Sequence, residues 1–320
     1  YKIVCAGSLL GVKINRFNSS FPVGKIVMEY MYPMNFEEFL MAIKNDMLLD
    51  AIKQSYLKME LMPSFAHEQA LKLYRQYLCT GGMPESVKNF IQNNKDILCY
   101  DKNILLNIID MYIADMQKYV KNNMESVKIE KVYTNIPMQL AKERKTFQYN
   151  LIEEEARKRK YETPIEWLIA SNMVIINSRV KKAAIPLKVY IDESKFKFYL
   201  SDVGILTSLT EINYSDIMLD KPFEYKGAIV ENYIAQELHS KGKSLYYWTY
   251  GRNVEIDYLL YNQDGIIPIE VKSGTSVKST SLNTYMRENK PSYAIRISSK
   301  NFGFENNIKS IPLYAVFCIE

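Results

Sequence analysis

The run "NVEIDYLLYNQDGIIPIEVKSG", residues 253–274, constrains the fold of this chain more than any other stretch. Asp264-Gly265 separates two segments in which apolar residues recur at every second position, the signal of a β-hairpin. Side chains at i and i+2 of a strand share a face. Val254, Ile256, Tyr258 and Leu260 are therefore expected on one face of the first strand, with Glu255 and Asp257 on the other. In the second strand Ile269 and Val271 face the core, and Glu270 and Lys272 stand side by side. The pairing sets Asp257 across from them.

A helix is predicted just upstream, over "YKGAIVENYIAQELHSKG". Gly227, Ala228, Glu231, Ile234, Ala235 and Leu238 form a stripe at helical spacing, and Glu231 is its only charge. A carboxylate on such a face costs several kcal/mol unless it finds a partner or ligand. Packed on the hairpin, this helix would aim Glu231 at Asp257 and Glu270. Carboxylates so grouped hold a hard cation such as Mg²⁺ through oxygen. The cation neutralises charge on a phosphate and activates water, and Lys272 would orient that water or stabilise the transition state. The predicted metal ligands are Asp257, Glu270, Glu231 and the main-chain carbonyl of Val271. The plainer reading is a solvated Glu-x-Lys pair worth under about 1 kcal/mol, within an acidic cluster that is structural.

Composition narrows the alternatives. Hydrophobic residues make up 48% of the 320, which excludes a disordered chain. The four cysteines form no CxxC pair, and His67 and His239 are the only histidines, which argues against zinc. Well-separated thiols and the lack of a membrane-length apolar run lead to the expectation of a cytoplasmic protein with no membrane partner. A net charge of +5 permits DNA as a partner without demanding it.

Four regions are expected: α/β structure over 1–42, a helical linker over 43–130, a winged helix over 131–215, and an α+β unit over 220–320. "KIVCAG" reads as a buried strand, "SLLGVKINRF" as a helix and "GKIVMEYMY" as a second strand. Asn35 caps "NFEEFLMAI", and Gly81-Gly82 ends the helix through "HEQALKLYRQYLCT". In the third region, a recognition helix starting at Thr163-Pro164 precedes a β-ribbon. Arg144, Lys145, Lys158, Lys181 and Lys182 are its candidate nucleic-acid contacts. Its polar positions otherwise include Glu166, which repels phosphate, so a packing adaptor is the competing role.

Asp257 followed by Glu270-x-Lys272, after a helix bearing Glu231, resembles the PD-(D/E)XK restriction-endonuclease-like core, with Ile256 in place of the usual proline. "YLCTGGMPESV" (77–87), "IPMQLAKERKTFQYNLI" (136–152), "EWLIASNMV" (166–174), "FYLSDVGIL" (198–206) and "IEVKSG" (269–274) together resemble a prokaryotic group of AAA-type ATPases whose C-terminal part is a domain of unknown function with a nuclease-like fold. That likeness implies that "YKIVCAGSLLG" is the end of the ATPase sheet, with Ser8 sensing the γ-phosphate, and that a P-loop precedes Tyr1. "SSFPVGKI" is no substitute, because Ser19 and Ile26 replace residues a P-loop needs. ATP is thus expected to act in a longer protein and not in this fragment. Three functions follow as expectations: an ATP-coupled nuclease, an ATP-switched module binding DNA or protein, and an oligomeric scaffold for other subunits.

Overall fold

A computed structural model describes residues 4, 24–25, 27–119, 123–251, 253–275 and 280–320. The expected strand at "KIVCAG", the following helix and Ser8 lie outside the described residues.

One eight-stranded mixed sheet organises the chain. Its strands are β1 (Val174–Val180), β2 (Ile191–Leu200), β3 (Leu245–Tyr250), β4 (Val254–Asn262), β5 (Gly265–Val271), β6 (Ala294–Ser298), β7 (Gly303–Glu305) and β8 (Ile308–Pro312). They lie in the order β2-β1-β3-β4-β5-β6-β8-β7. The helices are α1 (Phe36–Ala42), α2 (Asp46–Lys58), α3 (Ser64–Thr80), α4 (Pro84–Gln92), α5 (Asn103–Tyr119), α6 (Asn123–Leu140), α7 (Lys158–Ala170), α8 (Val203–Leu209), α9 (Tyr214–Met218), α10 (Lys226–Ser240) and α11 (Thr280–Asn289). Among the described residues no helix is long and apolar enough to cross a membrane.

The β4–β5 hairpin forms as its sequence dictates. Tyr258 pairs with Ile269, the turn closes over Gln263 and Asp264, and Gly265 supplies a φ of +103°. The alternation expected along β4 does not hold throughout. Tyr246 of β3 faces Leu259, yet Trp248 faces Ile256, so β4 carries one extra residue at Asp257–Tyr258. This bulge splits the predicted face. Ile256 and Leu259 pack with Trp248, Leu282 and Tyr285, while Tyr258 and Leu260 join the main core with α10. Both faces of β4 are covered as far as Leu260, and Tyr261 near its end is exposed.

The α7–β1–β2 region departs from a free winged helix. β1 and β2 pair antiparallel as expected, from Val174 opposite Leu200. The other edge of β1 pairs in parallel with β3, Ser178 beside Tyr246. The ribbon is therefore two of the eight strands of the common sheet, at one edge, and the boundary expected between 215 and 220 separates helices without dividing that sheet. α7 also starts at Lys158 and not at Thr163, with Pro164 inside it. Tyr161, Pro164, Ile165, Trp167 and Leu168 are all buried, and that continuous apolar face outweighs the helical hydrogen bond lost at the proline.

Val27–Asn35 is an irregular strap and forms no strand. It has no strand partner, and its backbone bonds go elsewhere: Met34 N–H donates to Gly82 O at 2.7 Å, and Tyr77 OH donates to Met34 O at 2.5 Å. α1 then begins with the expected capping box. Asn35 Oδ1 accepts from Glu38 N, and Glu38 Oε2 accepts from Asn35 N, each at 2.9 Å.

α10 binds these parts into one body. Its buried Asn232 exchanges two hydrogen bonds with the Leu200 backbone. Gln236 accepts from Val203 N and donates to Tyr77 OH, both at 2.8 Å. Glu237 Oε1 accepts from Phe36 N at 2.8 Å. Beside them Asp202 caps α8 through Ile205 N and takes Gly82 N at 2.6 Å. A Cβ on Gly81 would stand 2.1 Å from Asp202, and one on Gly204 would stand 2.6 Å from Gly81 N.

Candidate functional site

The N-terminal half of α10 also carries a buried charge. Glu231 is 8% exposed. Its Oε1 accepts from Lys145 Nζ at 2.7 Å, and its Oε2 accepts from Tyr199 OH at 3.0 Å, with Lys197 Nζ at 3.8 Å. The Lys197 side chain is 1% exposed; it also contacts Glu255 Oε1 at 2.6 Å and lies 5.0 Å from the centre of the Tyr247 ring. Burial opposes its charge, but Glu231, Glu255 and Asp257 outweigh that and raise its pKa. Burial likewise works against ionised Glu231, and Lys145 and Lys197 nonetheless hold its pKa below the usual carboxylate range. Tyr258 OH donates to the Glu231 carbonyl at 2.7 Å, which ties β4 to the helix at this residue.

The hairpin acids are less well compensated. The β4 bulge puts Asp257 where its Oδ2 accepts from Val271 N at 2.8 Å, and Asn177 donates to its carbonyl oxygen. Enclosure, and then the charges of Glu231 and Glu270, push the Asp257 carboxyl well above its ordinary pKa. Glu270 is 4% exposed. Lys272 Nζ meets its Oε1 at 2.7 Å, while its buried Oε2 has no hydrogen-bond partner. Lys272 follows the end of β5 and anchors its N–H on Ile297 O, so its side chain stays partly exposed. Glu231, Asp257, Glu270 and Lys272 thus come to one end of the sheet. Among the described residues no three His, Cys, Asp or Glu side chains stand together as a ligand set for a metal ion. Two lysines occupy Glu231 instead.

The predicted nucleic-acid contacts are not gathered in one place. Lys145 turns inward onto Glu231. Arg144, beside it, is exposed. Lys181 and Lys182 are exposed between β1 and β2, Lys182 lying 6.0 Å over the Tyr190 ring. Lys158 opens α7 and stands 3.9 Å from Glu162. The cleft of about 230 Å³ between α7 and the ribbon is lined by Glu162, Glu166, Asp192 and Glu193 against Lys158 and Lys195. Where a recognition helix would meet phosphate, carboxylates outnumber cations.

Lys197, Tyr199 and Glu255 complete the cluster, and the sequence reading does not select them. Nothing local marks them: "FKFYL" alternates lysine and aromatic residues as a half-exposed strand does, and only the fold buries it throughout.

The arrangement defines a mixed α/β protein with a buried lysine–carboxylate cluster at one end of its sheet. Residues 71–216 match the model of a domain of unknown function (DUF8612), and residues 226–316 match that of a second domain of unknown function (DUF4143). No curated protein and no solved structure matches the chain. The two matched regions meet ahead of α10, and the cluster spans them. Lys145, Lys197 and Tyr199 belong to the first, and Glu231, Glu255, Asp257, Glu270 and Lys272 to the second.

Proposed function

We propose that the cluster is a Mg²⁺-dependent phosphodiesterase site acting on nucleic acid, DNA being the first candidate, and that the motif likeness to AAA-type ATPases reflects ATP-driven control in the whole protein. The observation that carries this reading is the Glu270 Oε2 atom, buried and without a hydrogen-bond partner beside an Asp257 carboxyl that burial and the neighbouring acids hold well above its ordinary pKa. Two adjacent acids with an oxygen still unpartnered would suit a hard cation, and Asp257, Glu270 and the Val271 carbonyl would hold it. When bound, Mg²⁺ neutralises charge developing on the phosphate and makes water a better nucleophile. The Val271 N–H fixes the orientation of Asp257. The partly exposed Lys272 ammonium, pinned on Glu270 Oε1, is placed to meet an incoming phosphate oxygen and stabilise its charge.

A second reading has its own support. Lys145 and Lys197 already neutralise Glu231, as they would in a structural cluster within a switch module that binds DNA or protein. Nicking of plasmid DNA and of single-stranded DNA and RNA in Mg²⁺ or Mn²⁺ separates the two. The nuclease reading expects cleavage that falls about 100-fold or more in Lys272→Ala and Glu270→Gln with unchanged thermal stability. Binding without cleavage of any substrate, or cleavage indifferent to both substitutions, hands the site to the module.

A further inference from the structure

The strands from β5 outward carry a row of residues in register. Glu270 of β5 pairs with Arg296 of β6, Arg296 with Ser310 of β8, and Ser310 with Gly303 of β7. Residues so paired share a face of the sheet, and the row spans three strand spacings, about 14 Å. Two residues back along β6 and β8, Ala294 and Ile308 pack with Leu282 and Tyr285 of α11, so the row lies on the α11 face. The helix leaves part of that face open. A cleft of about 800 Å³ stands over Arg296, Ser310 and Gly303, with Asn283 and Met286 of α11 along one wall. Arg296 is partly exposed, and its Nε is buried with no hydrogen-bond partner. Among the described residues it makes no ion pair, and the Oε1 of neighbouring Glu270 is taken by Lys272 at 2.7 Å. The rim of the cleft is apolar, with Leu61 73% and Phe304 55% exposed. Among the described residues Glu305 is the one acid lining it; this side chain is exposed and pairs opposite Ile308, two residues along the strand from the Arg296 row.

We propose that this cleft is the groove for a single strand of nucleic acid, with Arg296 gripping a phosphate and Phe304 stacking a base. A guanidinium presents a planar fork of donors that matches two phosphate oxygens, and this one has a donor still unspent. A single strand carries both chemistries that the cleft offers, an anionic backbone and flat apolar faces. A cation within a groove and an aromatic ring at its rim are the usual platform for unpaired bases. A duplex keeps its bases stacked inside and would leave Leu61 and Phe304 uncovered. The row leads from the groove to Glu270, so a strand lying in it reaches the Glu270 carboxylate and the Lys272 ammonium on the neighbouring strand. The identity of the polymer rests on the phosphodiesterase reading, whereas the anion site rests on Arg296 and needs no metal ion.

The test is fluorescence anisotropy of a labelled oligothymidylate of about 12 nucleotides with the whole chain, in EDTA so that nothing is cleaved. Arg296→Gln should weaken binding about tenfold and flatten the slope of log K against log salt by about 0.7. Arg296→Lys should restore the salt slope but only part of the affinity, because a point charge replaces the fork. Asn283 is exposed on α11, so Asn283→Asp sets a carboxylate in the cleft without disturbing the core, and it should also weaken binding. Phe304→Ala should cost about fivefold. Thermal melting checks that each variant is folded. Wild-type affinity and salt slope in both Arg296→Gln and Asn283→Asp, with DNA nicking intact, overturn the groove and leave the phosphodiesterase reading in place. Binding that both variants weaken, with no nicking by any form, upholds the groove and removes the phosphodiesterase. Displacement of the oligonucleotide by a polyglutamate peptide of equal charge overturns the assignment to nucleic acid, as does a wild type that binds no oligonucleotide.

Discussion

The two halves of α10 bury a carboxylate each and treat it in opposite ways. Glu231 faces two lysines and a tyrosine hydroxyl, and it is held ionised. Glu237 accepts one backbone N–H, from Phe36, and makes no ion pair among the described residues; burial pushes its pKa up to about 8 against the weaker pull of Lys241. Asp202 belongs with Glu237. Burial raises it to about 6, and its oxygens are spent on the N–H groups of Gly82 and Ile205. Backbone donors make a carboxyl into a connector, whereas ammonium groups make it a charge. The first half of α10 is built for electrostatics, and the second is a joint.

That joint also accounts for two of the motifs that the ATPase likeness rests on. "YLCTGG" and "SDVG" meet there, through Tyr77, Gly82, Asp202 and Gly204. A Cβ on Gly82 would stand 1.9 Å from the Met34 carbonyl oxygen, which is backbone and cannot rotate away. Gly82→Ala should therefore have the largest effect of any change considered, about 4 kcal/mol of stability by urea denaturation. A loss below about 1 kcal/mol, within the range of an ordinary surface substitution, would show that the strap is not docked there.

The acids of the cluster are legible in the sequence for two reasons: Glu231 interrupts an apolar stripe, and the alternation sets Asp257 and Glu270 on the polar faces of paired strands. Its lysines are not. In "KFKFYL" the alternation of lysine and phenylalanine reads as a half-exposed strand with the lysines outward. Only the parallel pairing of β1 with β3, between residues more than sixty apart in sequence, encloses Lys197. Lys145 reads as one more cation of a basic run until the Gln139–Gln148 pin turns it inward. The bulge at Asp257 escaped for a related reason. "YLLY" is apolar on both faces, and a strand covered on both sides carries no phase for the alternation to show.

Lys197→Met tests the charged half directly. The substitution conserves most of the side-chain volume and removes the buried ammonium that Glu255 and Glu231 share. Leaving buried acids without their cation should cost about 3 kcal/mol. Because these acids would then favour protonation, the variant should regain part of that loss as pH is lowered. A flat difference between wild type and variant from pH 5 to pH 8 would mean that Lys197 acts by packing and cation–π contact alone, and the contrast between the two halves would lose its electrostatic side.

Glu237→Gln probes the joint with a smaller and opposite signature. An acid whose pKa rises on folding binds more protons in the native state, so the native protein loses stability as pH rises from about 4.5 toward about 8. Glutamine keeps an oxygen for the Phe36 N–H and carries no charge. Below pH 4.5 the variant and the wild type should therefore unfold at closely similar denaturant concentrations. Above pH 8 the variant should be the more stable by about 2 kcal/mol, as expected when a buried, unpaired carboxylate is replaced by a neutral acceptor. Midpoints taken at intervals across that window give the comparison. If Glu237→Gln is less stable than the wild type at high pH, then Glu237 is ionised and paired like Glu231, and α10 has two charged halves.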